Sequence, residues 1–217
     1  MIELYRKHRP RKLTEVVGQD GVVTTLTSMI EGGKVPHACL FVGPSGTGKT
    51  TLVRILRHEL GCSRADYQEV DFASTEKTID TIRSIQQRMG LAPGLGQCRV
   101  WFLDEMQSLS RTQFAQQALL KMLEDCPDHV WFFLATTDPG KLIPTIITRC
   151  TKFVLKPLSE PDMVKLIGDV LRKENHAQNV SQAVAERIVD SAGGSARQAL
   201  VDLGRVLHLK TEEPENP

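Results

Sequence analysis

A glycine-rich segment between residues 43 and 51 has the residue types of a phosphate-binding loop. Residues 43–50 read GPSGTGKT and satisfy the pattern GxxxxGK[ST], directly after an apolar run and before an amphipathic stretch. The glycines let backbone amides close around phosphate oxygens, the lysine supplies positive charge, and the threonine hydroxyl can coordinate Mg²⁺. The pattern predicts binding of a nucleoside triphosphate by Gly43, Pro44, Ser45, Gly46, Thr47, Gly48, Lys49, Thr50 and Thr51.

Two adjacent acids follow a second apolar run. Asp104 and Glu105 come directly after Val100–Leu103. A carboxylate at a strand end can hold Mg²⁺ together with the P-loop threonine, so we predict that Thr50 and Asp104 hold the metal, partly through water. Glu105 can orient or deprotonate an attacking water molecule. The acidic pair therefore predicts hydrolysis in addition to binding.

Short apolar runs alternate with amphipathic stretches as far as residue 156. This alternation predicts a βαβα order, which gives a parallel sheet covered by helices, with ligands at the carboxyl ends of the strands. Phe114, Ala118, Leu119 and Met122 recur at helical spacing and predict an amphipathic helix. The predicted strands are 38–42, 68–72, 99–103, 130–135 and 152–155, and the predicted helices are 49–60, 78–89 and 111–123.

Two prolines in Lys156–Pro161 interrupt regular structure, and beyond them the pattern is helical only. Helices are predicted over 162–173, 183–191 and 196–209. Ser195 and Gln198 have the spacing of a capping box at the start of the last helix. We predict a nucleotide-binding domain over residues 1–156, a helical lid domain over 157–210 and a mobile acidic tail over 211–217.

The composition indicates a globular chain. Of 217 residues, 41% are apolar and 24% charged, which is enough for a buried core. The formal net charge of +1 means that attraction to nucleic acid must come from a local arrangement. Five cysteines without a CxxC pair favour a reducing compartment and buried side chains. No apolar run approaches the ~20 residues of a membrane span. We expect a soluble protein of the cytoplasm, or of the host cytoplasm if the source is viral, with no membrane partner.

A series of ordered sequence blocks resembles the AAA+ ATPase region of bacterial clamp-loader subunits of the gamma/tau kind. The resemblance extends over Leu4–Gly204. It implies a P-loop AAA+ ATPase with a parallel five-stranded sheet flanked by helices, followed by a small helical lid. Besides the P-loop, the blocks are Tyr5–Pro10, Val16–Gln19, Glu69–Ser74, Asp104–Ser110, Leu134–Pro139, Thr148–Cys150 and Gly194–Leu200.

The resemblance also implies roles for residues outside the two motifs. Thr137 matches the polar sensor that follows the fourth strand. Arg149 matches the arginine of a serine-arginine-cysteine motif that acts in trans on a neighbouring subunit, although Thr148 replaces the serine. Arg197 matches a lid residue that senses the γ-phosphate. A cation in the first turn of a helix opposes the helix dipole, so a bound anion explains the position of Arg197 better than helix stability does. The predicted catalytic residues are Lys49, Asp104, Glu105, Thr137, Arg149 and Arg197.

A nucleotide role is implied for the basic N-terminal segment as well. By the resemblance, Arg9, Pro10, Val17 and Gly18 pack on the adenine. The sequence departs from the gamma/tau kind in the interval Gly61–Tyr67, which has one cysteine where a four-cysteine zinc module usually lies. We therefore expect ATP and Mg²⁺ as cofactors and no zinc. The sequence also lacks a match to the helical collar domain that normally follows the lid.

These features favour an ATP-driven loader that opens a sliding clamp and closes it around primer-template DNA. Its expected partners are the clamp, the DNA and other loader subunits in a homo- or hetero-oligomer. DNA contacts would be to phosphates, with Lys77, Arg83 and Arg111 as candidates. Two alternatives stay open: a related AAA+ DNA motor such as a branch-migration ATPase, and a nucleotide-dependent scaffold without turnover. The compact intervals between strands favour the loader over the motor.

Overall fold

The computed structural model describes residues 3–74, 78–111, 113–175 and 180–211. The strands are β1 (Ala38–Val42), β2 (Tyr67–Asp71), β3 (Arg99–Asp104), β4 (Val130–Thr136) and β5 (Thr151–Val154). The helices are α1 (Leu4–Lys7), α2 (Asp20–Glu31), α3 (Lys49–Glu59), α4 (Thr78–Met89), α5 (Gln113–Glu124), α6 (Pro144–Arg149), α7 (Glu160–Lys173), α8 (Gln182–Ala192) and α9 (Ala196–Thr211). Short 3₁₀ helices cover Leu13–Glu15, Met106–Arg111 and Pro139–Lys141. Of the predicted tail only Thr211 is described, as the last residue of α9, and 212–217 lie outside the described residues.

The five strands form one parallel sheet in the order β2-β3-β4-β1-β5. Val42 of β1 is paired with Thr136 of β4, and Leu103 of β3 is paired with Leu134 of β4. Because the strands are parallel, the carboxyl ends of β1, β3 and β4 meet at one edge of the sheet. The predicted fold class, a parallel five-stranded sheet with helices and a following helical segment, is confirmed.

Apolar side chains cover both faces of the sheet. Leu40, Trp101 and Phe132 lie on neighbouring strands and belong to one buried cluster with residues of α4, α5 and α6. Phe41 and Phe133 alternate with them and pack edge to face, with ring centroids 6.2 Å apart. A strand buried on both faces needs a continuous apolar run, which is the pattern that the sequence shows at β1, β3 and β4.

The chain forms two compact units. The sheet unit comprises Gly21–Gly43 and Lys49–Leu155. The helical unit comprises the residues up to Asp20, the loop Pro44–Gly48 and the residues from Lys156 onward. Within the helical unit, α7, α8 and α9 share an apolar core, and side chains of α1 pack against it.

Helices α1, α2 and α6 were not predicted from the sequence. α2 contains several threonines, which lower helix propensity, and Leu26 is its one fully buried side chain. The amphipathic helix predicted over 111–123 is present as α5, but Phe114, one of the apolar positions whose spacing predicted it, is 77% exposed. Leu119 and Met122 of the same set are fully buried, and Ala115 joins them on the buried face at helical spacing.

The five cysteines are free thiols, and all but Cys126 are buried. Burial raises the pKa of Cys126 to about 11 and that of Cys150 to about 12. These side chains pack as small hydrophobic residues, as the sequence indicated. In the part of the chain that the structure describes, no helix is both long enough and apolar enough to span a lipid bilayer.

A buried carboxylate closes the short connection between α3 and β2. The Asp66 side chain is 2% exposed and accepts hydrogen bonds from the Ser63 hydroxyl at 2.6 Å and from the amides of Gly94, Leu95 and Gly96 at 2.7, 3.1 and 2.8 Å. The Ser63 hydroxyl and these amides hold the pKa of Asp66 well below its usual range. The loop before β3 is therefore fixed to the connection between α3 and β2 by charge-assisted hydrogen bonds.

We predict that Asp66→Asn lowers the free energy of unfolding by roughly 2–3 kcal/mol at neutral pH, because three backbone amides lose a charged acceptor. Since the folded-state pKa is depressed, this contribution is complete above the unfolded-state pKa of about 4 and is lost as the pH falls below it. Urea denaturation at pH 7 and at pH 3 measures both effects.

Asp80→Asn is the matched control for this prediction. Asp80 lies in an exposed i,i+3 ion pair with Arg83, so its replacement should cost less than about 1 kcal/mol. Equal losses in the two variants, or a loss at Asp66 that does not shrink in acid, would contradict the role assigned to the buried carboxylate.

Candidate nucleotide-binding site

The glycine-rich loop leaves the sheet at the carboxyl end of β1. The Gly43 amide donates to the Thr136 carbonyl at 3.2 Å, which fixes the end of β1 against the end of β4. A Cβ at position 43 would lie 2.5 Å from the Leu155 carbonyl oxygen, so the site requires glycine. The start of the motif is thus set by the backbones of two neighbouring strands and of the residue after β5.

Lys49 is the first residue of α3 and is 7% exposed. Its Nζ donates to the Gly43 carbonyl at 2.7 Å, so the side chain folds back toward the end of β1. A buried ammonium group is stabilised by anions, and phosphate oxygens are the counter-charge that a lysine in this motif meets. The side chain is therefore positioned for a polyphosphate.

Thr50 and Asp104 lie side by side at the same edge of the sheet. The Thr50 Oγ1 donates to Asp104 Oδ2 at 3.4 Å, and Asp104 Oδ1 accepts from the Glu105 amide at 2.9 Å. Burial raises the pKa of Asp104 although the hydrogen bond from the Glu105 amide opposes the shift, so its negative charge is destabilised in the folded protein. A hydroxyl and a desolvated carboxylate fit a hard divalent cation such as Mg²⁺.

No three His, Cys, Asp or Glu side chains come together as a metal-binding group within residues 3–74, 78–111, 113–175 and 180–211. Thr50 and Asp104 alone supply too few ligands for an octahedral cation. Phosphate oxygens and water would have to complete the coordination of Mg²⁺, which is how P-loop proteins hold it. The donor set therefore fits a metal that arrives with a nucleotide.

Glu105 has an unusual backbone conformation, and its carboxylate is hydrogen-bonded. Its φ is +54°, in the left-handed region that residues other than glycine seldom adopt. Its carboxylate accepts a hydrogen bond from the Gln107 side-chain amide. Gln107 in turn accepts from the Thr137 amide at 3.3 Å. Gln107 was not predicted as a site residue, since its only signal in the sequence is a polar side chain two positions after the acidic pair.

The middle of the loop lies in the helical unit and contacts the start of α9. Gly46 and Gly48 have φ values of +80° and +108°. A Cβ on Gly46 would lie 2.1 Å from the Ser195 hydroxyl oxygen, so glycine is required here for close approach. That hydroxyl accepts from the Gln198 amide at 3.2 Å and so acts as an N-cap. The reciprocal half of the predicted capping box is absent, because the Gln198 side chain donates to Asp202.

Arg197 lies in the first turn of α9 and is exposed. Its guanidinium carbon is 5.9 Å from the centre of the Tyr5 ring, a cation–π distance. Position 18 also requires glycine, since φ is +65° and a Cβ would lie 2.8 Å from Leu158. The segments proposed for adenine, Arg9–Pro10 and Val17–Gly18, are half-buried in this same helical unit.

Arg149 lies at the end of the sheet where the strands begin, opposite the carboxyl ends that hold Asp104. It ends α6 and precedes β5, whose first residue Thr151 is paired with Cys39 near the start of β1. The arginine is exposed and forms an ion pair with Glu124, the last residue of α5. Within one chain, the sheet unit thus brings Lys49, Thr50, Asp104, Glu105 and Thr137 to one edge and places Arg149 at the opposite edge.

Of the three basic residues predicted as candidates for DNA contact, Arg83 is the one whose side chain the structure describes. Arg83 is 70% exposed on α4 and lies 3.9 Å from the Asp80 carboxylate. Lys77 and the side chain of Arg111 lie outside the described part of the chain. The contribution of these three residues stays a prediction.

Comparison with known sequences gives a consistent set of relatives. A family model for the DNA polymerase III delta subunit matches residues 63–159. DNA polymerase III subunit tau of Escherichia coli is 37% identical, over 91% of this chain and 33% of tau. DNA polymerase III subunit gamma of Buchnera aphidicola is 34% identical, over 95% of this chain and 61% of gamma. The chain thus spans about one third to three fifths of the length of these relatives.

Solved structures share the fold. The Holliday junction branch migration motor RuvB of Thermotoga maritima superposes with a TM-score of 0.72 at 26% identity, over 94% of this chain and 66% of RuvB. A mutant of the same protein gives a TM-score of 0.74 at 25% identity. The chain therefore has the AAA+ P-loop fold. Its resemblance to the gamma and tau subunits of DNA polymerase III is confirmed over more than nine tenths of its own length.

Proposed function

We propose that this chain is the ATP-hydrolysing part of a clamp-loader subunit that acts in DNA replication. The observation that carries the proposal is the cluster of buried Lys49, the Thr50 hydroxyl and the Asp104 carboxylate at the carboxyl ends of β1 and β3. This cluster offers a cation to phosphates and two oxygen ligands to Mg²⁺. The printed names of the sequence relatives support the assignment to a loader.

Each residue at the sheet edge has a distinct task in this proposal. Lys49 binds phosphate oxygens and balances their charge. Thr50 and Asp104 hold Mg²⁺, which when bound neutralises negative charge on the phosphates. Glu105 orients or deprotonates the attacking water, and Thr137 contacts that water or the γ-phosphate. Phosphoryl transfer depends mainly on such positioning and electrostatics, so these few groups are sufficient on one side of the nucleotide.

The helical unit contributes the proposed nucleotide sensor. Gly46 of the phosphate loop touches Ser195, and Arg197 begins the helix that Ser195 caps. A γ-phosphate near this loop would therefore be close to the positive N-terminus of α9 and to Arg197. We assign the segments Arg9–Pro10 and Val17–Gly18 of the same unit to adenine, which the half-buried state of these residues supports.

Arg149 cannot serve the phosphate loop of its own chain. β1 separates the two sheet edges, and five residues of a strand span about 16 Å, which is more than an arginine side chain reaches. An exposed guanidinium at that edge suits a triphosphate on a neighbouring subunit, where its planar donors can stabilise charge in the transition state. We therefore assign Arg149 a trans-acting role in an oligomer with other loader subunits.

The proposed contact with the sliding clamp rests on two exposed leucines. Leu91 and Leu95 have 56% and 84% of their surface exposed, in the loop that follows α4. Asp66 fixes the Leu95 amide, so the loop presents its apolar side chains on an ordered backbone. A partner protein could bury these two side chains at little cost in ordering, because the loop is already held by hydrogen bonds.

A branch-migration motor is the second candidate, and the likeness to RuvB favours it. Both candidates use the same nucleotide chemistry, so the nucleic acid and the protein partner distinguish them. A loader is stimulated by primer-template DNA together with a clamp, whereas a motor is stimulated by branched DNA alone.

We predict that Lys49→Ala abolishes nucleotide binding, while Glu105→Gln binds ATP normally and loses at least about 100-fold in turnover, because an amide is a far weaker base than a carboxylate. Titration with a fluorescent ATP analogue and phosphate release measure the two steps. Unchanged affinity in the first variant would contradict the P-loop assignment, and normal hydrolysis in the second would remove Glu105 from catalysis.

A mixing experiment tests the trans-acting role. Arg149→Ala should bind ATP normally and hydrolyse it about 10³-fold more slowly, and adding Lys49→Ala should restore part of the activity. The nucleotide-defective subunit still offers its arginine to the intact site of the other variant. Rescue that is absent although mixed oligomers form, or full activity in dilute monomers, would contradict the assignment.

The loader assignment predicts stimulation of ATP hydrolysis by a bacterial sliding clamp and primed DNA together, measured by phosphate release with companion subunits supplied. Leu95→Asp should abolish the effect of the clamp and leave basal hydrolysis unchanged, because it adds charge to the proposed apolar contact. Val164→Asp, on an exposed apolar position of α7, is the matched control. Stimulation by branched DNA without a clamp would instead support the motor.

A further inference from the structure

The side-chain amide of Gln107 is hydrogen-bonded to Glu105, Thr136 and Thr137 at the carboxyl ends of β3 and β4. Its Oε1 accepts from the Thr136 hydroxyl at 2.9 Å and from the Thr137 amide at 3.3 Å, and its Nε2 donates to the Glu105 carboxylate. We propose that Gln107 is a positioning residue, which holds Glu105 and the segment after β4 in one arrangement that hydrolysis requires. The inference rests on the proposed ATPase function and assigns Gln107 no contact with the nucleotide.

The donors and acceptors permit one orientation of the amide. An ionised carboxylate can only accept hydrogen bonds, and the Thr137 amide can only donate. Exchanging the oxygen and nitrogen of Gln107 would place oxygen against the Glu105 carboxylate and NH₂ against the backbone amide. Both contacts would become repulsive, so the amide keeps one orientation and is hydrogen-bonded to both partners at once.

The backbone around Gln107 is held on both sides by the core. Met106 and Leu109 of the same 3₁₀ helix are fully buried in the cluster beneath the sheet edge. The Ser108 amide donates to the Glu105 carbonyl at 2.9 Å, which closes the turn that contains Gln107. The short helix is thus anchored by two apolar side chains while its glutamine stays half-buried at the site. A side chain with a fixed backbone can position its partner more accurately than one on a loose loop.

The other end of the link reaches the start of the phosphate loop. Thr136 is fully buried, and its carbonyl accepts from the Gly43 amide at 3.2 Å. Its hydroxyl accepts from the Asp138 amide at 3.1 Å, and the Asp138 carbonyl, also 3.1 Å away, competes with Gln107 Oε1 for the single hydroxyl proton. A shift of the segment after β4 would therefore change the hydrogen bond to Gln107 and, through it, the direction of the Glu105 carboxylate. The geometry connects the proposed sensor Thr137 to the proposed base without a nucleotide as intermediary.

The test compares Gln107→Ala and Gln107→Glu with the wild-type chain in its oligomer. We expect both variants to bind the ATP analogue within about threefold of wild type and to lose 10- to 100-fold in kcat, the range for a misplaced catalytic group. Gln107→Glu keeps the acceptor for Thr136 and Thr137 but sets a second carboxylate against Glu105. It should therefore lose at least as much activity as Gln107→Ala. Ser108→Ala, in the same turn, is the control and should retain the wild-type kcat.

Combination with Glu105→Gln distinguishes positioning from a general structural effect. If Gln107 acts through Glu105, adding Gln107→Ala to Glu105→Gln lowers the residual single-turnover rate no further. Multiplicative losses, or a wild-type kcat in Gln107→Ala, would overturn the inference while leaving the proposed ATPase function intact. A wild-type chain without ATP hydrolysis, even with companion subunits and DNA, would instead overturn the proposed function.

Discussion

The position of β4 between β1 and β3 is the constraint on which the candidate site depends. Parallel pairing with both neighbours aligns Thr136 with Val42 and Leu134 with Leu103. A slip by one residue would move the buried Phe132 and Leu134 to the opposite face, which is already filled by the side chains of Phe41 and Phe133, and overpacking a core in this way costs about 1–3 kcal/mol. The apolar core therefore fixes the register, and the register fixes where the polar groups at the strand ends meet.

This rigid edge holds groups that are unfavourable in the folded protein. Lys49 is a buried ammonium, burial raises the pKa of Asp104, and Glu105 has a left-handed backbone. Each of these features costs free energy that the surrounding core must offset. A bound metal would favour the ionised form of Asp104, and bound phosphate would give Lys49 an anionic partner. Ligand binding and folding stability are thus linked through the same two side chains.

The sequence was most informative where local pattern and local structure coincide. Continuous apolar runs predicted the strands, and the GxxxxGK[ST] pattern predicted the loop because its chemistry is contained in eight consecutive residues. Contacts between distant residues could not be predicted in this way. Ser195 against Gly46, Gln107 against Thr136 and the amides around Asp66 depend on tertiary packing, which spacing does not encode. In α5 the helical spacing predicted the buried Leu119 and Met122, whereas Phe114 of the same set is exposed and Ala115 beside it is buried.

The ion pair with Glu124 competes with the proposed interaction of Arg149 with a nucleotide on a neighbouring subunit. Both side chains are about two fifths exposed, and ion pairs of that kind contribute about 0–1 kcal/mol. An arginine that stabilises phosphoryl transfer on a neighbouring subunit lowers the activation barrier by about 4 kcal/mol or more, corresponding to 10³-fold in rate. The second interaction exceeds the first by several kcal/mol, so Glu124 can orient Arg149 in the free chain without preventing its transfer. In this proposal the rate of a lone subunit is limited by the absence of a neighbour, and the internal ion pair is not the cause.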